Sequence, residues 1–144
     1  MHTSAARALA LRTSGVTYPG SMEYVRVVRA DLRALLPGCP MADEVILCAS
    51  ELAANAAVHS DSGMPGGTFT VRAGVHAGCT VRAGAHAGCH VRVEVEDNGG
   101  PWVAAPSHPG GHHGLDIVRA LASEWGINGN HAARTIWARF DWSE

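Results

Sequence analysis

Apolar positions recur at helical spacing over Met22–Leu36: Val25, Val28, Leu32 and Leu35 fall on one face, and Arg26, Arg29 and Arg33 on another. Ser21 stands ahead of this run as an N-cap, and Pro37-Gly38 stops it. A second helix fits Met41 to about Ser60, with Val45, Ala49, Leu52 and Ala56 as its buried stripe. Pro40 suits the entrance, and Asp43 and Glu44 complement the positive end of the helix dipole. Cys48 lies inside this apolar pattern and reads as a small core residue. The period then changes to two, predicting strands at about 68–75, 80–85 and 90–97. The last is the cleanest, with Val91, Val93 and Val95 facing inward. A third helix is predicted over Gly114–Trp125, burying Leu115, Val118, Leu121 and Trp125, with Gly126 as its C-terminal stop. A final strand, Thr135–Trp142, closes the pattern. Ahead of the Tyr18-Pro19-Gly20 turn there is room for one short edge strand.

One stretch breaks the rhythm. The ten residues from Thr70 to Cys79 are nearly repeated from Thr80 to Cys89, and a third partial copy starts at His90-Val91-Arg92. A tandem duplication of a short coding segment explains this, and two units do not make a solenoid. One added strand would reverse the direction of the next, so a longer, protruding hairpin at about 76–89 is expected.

Composition narrows the class. At 144 residues the chain is one domain, read as residues 16–144 preceded by an N-terminal extension or edge strand at 1–15. With 47% hydrophobic and 17% charged residues it is globular rather than disordered. A net charge of -2 argues against a direct nucleic-acid binder. Every basic residue is Arg, which beside so much Ala, Gly and Val reads as coding bias rather than an arginine patch. No apolar run approaches a membrane span, and Met1–Thr13 lacks the apolar core and cleavage site of a signal peptide, so the expected location is cytoplasmic. Without a leader, the four cysteines are not expected to form a disulfide framework.

Candidate chemistry falls at three places. Glu51, Asn55 and His59 follow one another at four-residue intervals, along one helix face beside the apolar stripe. An amide oxygen suits a hard divalent cation, and a carboxylate can take a proton from a hydroxyl or water; a solvated helix face is the alternative. Asp97-Asn98-Gly99-Gly100-Pro101 ends a strand with a good acceptor and two glycines that permit close approach by a ligand, or is an ordinary turn. Gly110-Gly111-His112-His113-Gly114-Leu115 opens a helix, where exposed N–H groups favour an anion, or is a linker. It is neither a P-loop nor a dinucleotide fingerprint. Separately, His76-x-x-Cys79 and His86-x-x-Cys89 would make a tetrahedral zinc set, although duplication alone produces both pairs.

The order of these elements resembles the GHKL ATPase superfamily, and within it the anti-sigma factor serine/threonine kinases. Ser50-Glu51-Leu52-Ala53-Ala54-Asn55-Ala56-Ala57-Val58-His59 is similar to that family's SELxxNAxxH box. Tyr18-Pro19-Gly20-Ser21 with Val25 and Arg29, the Ala42-Asp43 helix start, Trp125-Gly126 and Thr135-Ile136-Trp137 also fit, so the resemblance spans about residues 16–142. It implies a two-layer α/β sandwich, a mixed and mostly antiparallel sheet with helices on one face. It also implies ATP and Mg²⁺ as ligands. Asn55 would hold Mg²⁺, Glu51 would activate the acceptor hydroxyl, Asp97 would receive the adenine amino group and Gly99 would shape the adenine pocket. His59 would join the nucleotide site. Gly111, His113, Gly114 and Leu115 would wrap the phosphates beneath a lid at residues 100–113. The implied partners are an anti-sigma factor antagonist, phosphorylated on Ser or Thr, and a sigma factor; family members often form homodimers. The chain departs from the pattern at His112, where a glycine is usual, in a lid without Arg or Lys, and in the duplicated segment. Those departures leave a non-catalytic ATP-binding switch or scaffold as the second reading.

Overall fold

The computed structural model describes residues 4–76, 89–100, 114–130 and 132–142. Along these run α1 (Ser4–Thr13), β1 (Val16–Pro19), α2 (Val25–Leu35), α3 (Ala42–His59), β2 (Thr68–His76), β3 (Cys89–Asp97), α4 (Gly114–Leu121), β4 (Glu124–Gly129) and β5 (Arg134–Trp142). Single 3-10 turns at Met22–Tyr24 and Asp61–Gly63 lead into α2 and out of α3.

The strands form one sheet in the order β1-β2-β3-β5-β4. Every pairing is antiparallel, so the expected mostly antiparallel sheet is wholly antiparallel among the described strands. Alternation sorts its two faces. Phe69, Val71 and Ala73 of β2, Val91, Val93 and Val95 of β3, and Ile136, Ala138 and Phe140 of β5 are buried beneath the helices. The opposite face carries Arg72, Arg92, Glu94, Glu96 and Arg139, joined in ion pairs such as Arg72–Glu96 at 3.1 Å and Arg139–Glu124 at 2.8 Å. The Arg92 guanidinium lies 4.2 Å from the centre of the Trp137 ring. The two layers are the expected α/β sandwich.

The helical stripes hold in α2 and α3 apart from Leu35, which is half-buried, as are Leu115, Leu121 and Trp125, expected in the third helix. Val25, Val28 and Leu32 of α2 and Val45, Ala49, Leu52 and Ala56 of α3 are buried. Each Val or Leu so placed contributes roughly 1.5–3 kcal/mol relative to an exposed position. Cys48 is fully buried in α3, and that burial, with the nearby charges of Glu51 and Glu44, pushes its thiol pKa up to about 12.

Two expectations are adjusted. The short edge strand expected at the Tyr18 turn is present at the sheet edge, but a helix precedes it. The stretch before Tyr18 is mostly helical: α1 occupies Ser4–Thr13, and the edge strand is confined to Val16–Pro19. Tertiary contacts decide this. Leu11 enters the core, and Arg7 Nε donates to both oxygens of the fully buried Asp31, at 2.9 and 2.8 Å. Tyr18 donates its hydroxyl to the same carboxylate at 2.7 Å. Burial, followed by that hydrogen bond and charge, raises the Tyr18 pKa far above its usual value.

The second correction concerns the third helix, which ends at Leu121 rather than Trp125. Trp125 and Gly126 belong to β4. Ser123 redirects the chain, its N–H donating to Arg139 O at 2.8 Å and its hydroxyl accepting from Asp141 N at 2.9 Å. Gly126 sits opposite Trp137, and a Cβ there would lie 2.8 Å from the indole Nε1. The glycine is therefore a seat for the Trp137 ring rather than a helix stop. The strand expected at 80–85 lies outside the described residues.

Candidate functional site

Glu51, Asn55 and His59 lie on α3 as their spacing predicts. Glu51 and Asn55 are half-buried and His59 is exposed near the C-terminal end. None of the three side chains has a hydrogen-bond or ion-pair partner among the described residues. The helix therefore displays a carboxylate, an amide and an imidazole whose polar atoms are uncommitted. Its preceding turn is fixed from behind: Arg29 Nε of α2 donates to Ser50 Oγ at 2.9 Å, and Ser50 donates to Ile46 O at 2.6 Å. A buried hydroxyl with both roles used leaves the α2–α3 packing little freedom to rotate Glu51 away.

Asp97 ends β3 and is buried, 7% exposed. Its Oδ1 accepts from Gly99 N at 2.6 Å and lies 3.5 Å from Arg134 Nε. Both contacts use Oδ1, which leaves Oδ2 available to another donor. Gly99 and Gly100 carry φ of +74° and +95°, a left-handed turn that L side chains rarely adopt. A Cβ on Gly100 would collide with the Asp61 carboxylate, so both conformation and space require glycine there.

The two parts are joined by the 3-10 turn after α3. Asp61 N donates to Gly99 O at 2.9 Å, and Asn98 N donates to Ser62 Oγ at 2.9 Å. Ser62 is fully buried, and its own N–H donates to Ser60 Oγ at 3.0 Å. Asn98 Oδ1 accepts from Thr68 N at 2.8 Å, and Arg134 Nη2 donates to Gly99 O at 3.2 Å. The Asp97–Gly100 loop is thus fastened to the end of the Glu51–Asn55 helix by short polar contacts. Ser62 and Arg134 were not singled out from sequence. Ser60-Asp61-Ser62-Gly63 has the composition of a turn, but nothing local marks the Ser62 hydroxyl as an acceptor for Asn98.

Gly114 and Leu115 open α4, which packs against α3; Cys48 Sγ approaches Ile117 O at 4.0 Å. The start of α4 therefore lies beside the helix that carries Glu51. Gly111 and His113, with His112 and the lid expected to include them, lie outside the described residues. So do Cys79 and His86 of the candidate zinc set, and no group of three metal-ligating side chains occurs among the described residues. No helix among them is long and apolar enough to cross a membrane.

The arrangement is a buried acceptor at a strand end, a glycine turn beside it, and a neighbouring helix offering oxygen and nitrogen ligands. A family model described as the histidine kinase-like ATPase domain matches residues 18–140. No curated protein matches the chain.

Proposed function

Because the chain belongs to the histidine kinase-like ATPase domain family, we propose that it binds ATP with Mg²⁺ and transfers the terminal phosphate to a Ser or Thr hydroxyl of a protein. The observation that carries this reading is Asp97. It is a buried carboxylate with one oxygen held by Gly99 N and the other available, fastened to the helix that bears Glu51 and Asn55. Asp97 Oδ2 accepts the adenine amino group, and the Gly99-Gly100 turn lets the base lie against backbone. Asn55 offers its amide oxygen to Mg²⁺, with His59 further along the same face. By the family likeness, Gly111, His113, Gly114 and Leu115 would contact the phosphates. Mg²⁺ supplies charge neutralisation between phosphate oxygens when bound.

Glu51 takes the proton of the acceptor hydroxyl. The freed oxygen bonds to the terminal phosphorus while that atom's bond to the bridging oxygen breaks, leaving ADP and a phosphoprotein. The SELxxNAxxH likeness points to an anti-sigma factor antagonist as acceptor and a sigma factor as bound partner. A second reading, an ATP-binding switch without transfer, is favoured by a lid sequence at 100–113 that holds no Arg or Lys to meet the terminal phosphate. Labelled ATP, Mg²⁺ and a candidate antagonist separate the two. The kinase reading expects label on the antagonist, and Glu51→Ala lowers that transfer about 10²–10⁴-fold while sparing ATP affinity. Asn55→Ala weakens Mg²⁺-dependent ATP binding. ATP binding without any transfer supports the switch.

A further inference from the structure

On the sheet face turned away from α2 and α3, beside the end of α1 at Leu11–Thr13, His76 of β2 stands directly opposite His90 of β3. Their rings are stacked, with centroids 4.6 Å apart and planes inclined by 25°. His76 is exposed and His90 half-buried. The ring of His76 leans back over Gly74, its Nε2 lying 3.2 Å from where a Cβ on that residue would stand. A larger residue at 74 would crowd the imidazole.

We propose that His76 and His90 form a two-imidazole site for a borderline transition-metal cation, Zn²⁺ above all, separate from the nucleotide site. Zinc–imidazole bonds of about 2.0–2.1 Å, closed at about 90–109°, place two ring centres roughly 4.5–5.2 Å apart. The observed separation of 4.6 Å falls in that span; because the rings are stacked, each must swing about its side-chain torsions to turn a nitrogen edge toward a shared ion. The sheet register supplies the pairing before metal arrives, which spares the ordering cost a flexible chelator meets. Water completes the coordination. Two nitrogen donors favour Zn²⁺, Cu²⁺ or Ni²⁺ over the hard Mg²⁺ that an amide such as Asn55 suits.

The groups facing the pair also matter. Burial lowers the His90 pKa first, then His76; Asp141 opposes the shift and Arg139 adds to it. The pairing differs from the His-x-x-Cys sets suggested by the repeat. Cys89 precedes His90 on the same strand, so their side chains point to opposite faces of the sheet. Cys89 is excluded from this site.

The test uses the full chain without a polyhistidine tag, stripped with chelator and free of nucleotide. Zn²⁺ is added during calorimetry and thermal unfolding, with His76→Gln, His90→Gln and Cys89→Ser beside the parent. One saturable equivalent is expected in the parent and in Cys89→Ser, with loss in each histidine variant. The Cu²⁺ form of the parent should show two equivalent nitrogen couplings by electron paramagnetic resonance, a readout that does not require the variants to fold. No saturable Zn²⁺ binding in the parent, binding that survives either histidine substitution, or binding that depends on Cys89 would overturn the proposal.

Discussion

Asp97 was marked in the sequence by its place at the end of an alternating strand, and that place decides its chemistry. A carboxylate 7% exposed must keep its polar partners, and here one oxygen accepts from Gly99 N and lies 3.5 Å from Arg134 Nε, while the other is available to the proposed ligand. Asp97→Asn replaces that acceptor with an amide that can present a donor instead. ATP should then bind weaker by about 1–3 kcal/mol, the cost of an unmatched buried polar group. Guanine lacks the matching amino group, so the parent should prefer ATP over GTP; equal calorimetric affinities would remove Asp97 from the base site. His90 gives a second measurable consequence. Its folded pKa lies below the usual 6.5, so as pH falls the unfolded chain takes up the proton first. Stability therefore declines as pH drops from about 6.5 toward the lowered value, with His76, Asp141 and Arg139 setting the local field. Urea midpoints across this window should flatten in His90→Gln; an unchanged slope would place the titration elsewhere.

At the scale of elements, periodicity found what packing rewards locally. α3 and β3 each repeat their apolar residues at one period over their length, and their buried faces follow it. α1 and β4 could not be found that way. α1 is fixed by Arg7 reaching Asp31, a partner 24 residues away. β4 holds its place through Ser123 and the Trp137 ring over Gly126, again contacts to a distant strand. Glu51 and Asn55 were legible because four-residue spacing alone puts them on one face. The turn that joins their helix to Asp97 was not, because Ser62 acts on a residue 36 positions on. That turn makes a prediction. Gly100→Ala meets both a φ of +95° and the Asp61 carboxylate, whereas Gly38→Ala meets a φ of +74° with nothing within 4 Å. Each should lose stability of the order of 1–2 kcal/mol from left-handed backbone strain. Only Gly100→Ala should also weaken ATP, since it displaces the loop that carries Asp97. Equal ATP affinity in the two variants would show that the loop's position does not matter to the ligand.

For the whole molecule, the order of motifs carried the family identification, and the sheet explains how an inserted repeat is tolerated. β2 and β3 pair from Thr70↔Glu96 out to His76↔His90, and β3 continues against β5 from Cys89↔Trp142 to Asp97↔Arg134. Residues 77–89 separate the two halves of the hairpin's last pair. Deleting Thr80–Cys89 leaves only 77–79 between His76 and His90, and puts Cys79 where Cys89 stood. The removed length is even, so Val91, Val93 and Val95 keep facing the core and Asp97 keeps its place at the strand end. A three-residue connection containing Gly78 is a common hairpin loop. Shortening the connection lowers its closure entropy by roughly 1 kcal/mol. The deletion variant should therefore fold, melt no lower than the parent, and bind ATP equally well. It should also keep the Zn²⁺ response, because neither His76 nor His90 is removed. A melting temperature well below the parent's would mean that residues 80–89 contribute packing the rest of the domain needs. Loss of Zn²⁺ binding alone would move the metal from the His76–His90 pair into the repeat itself.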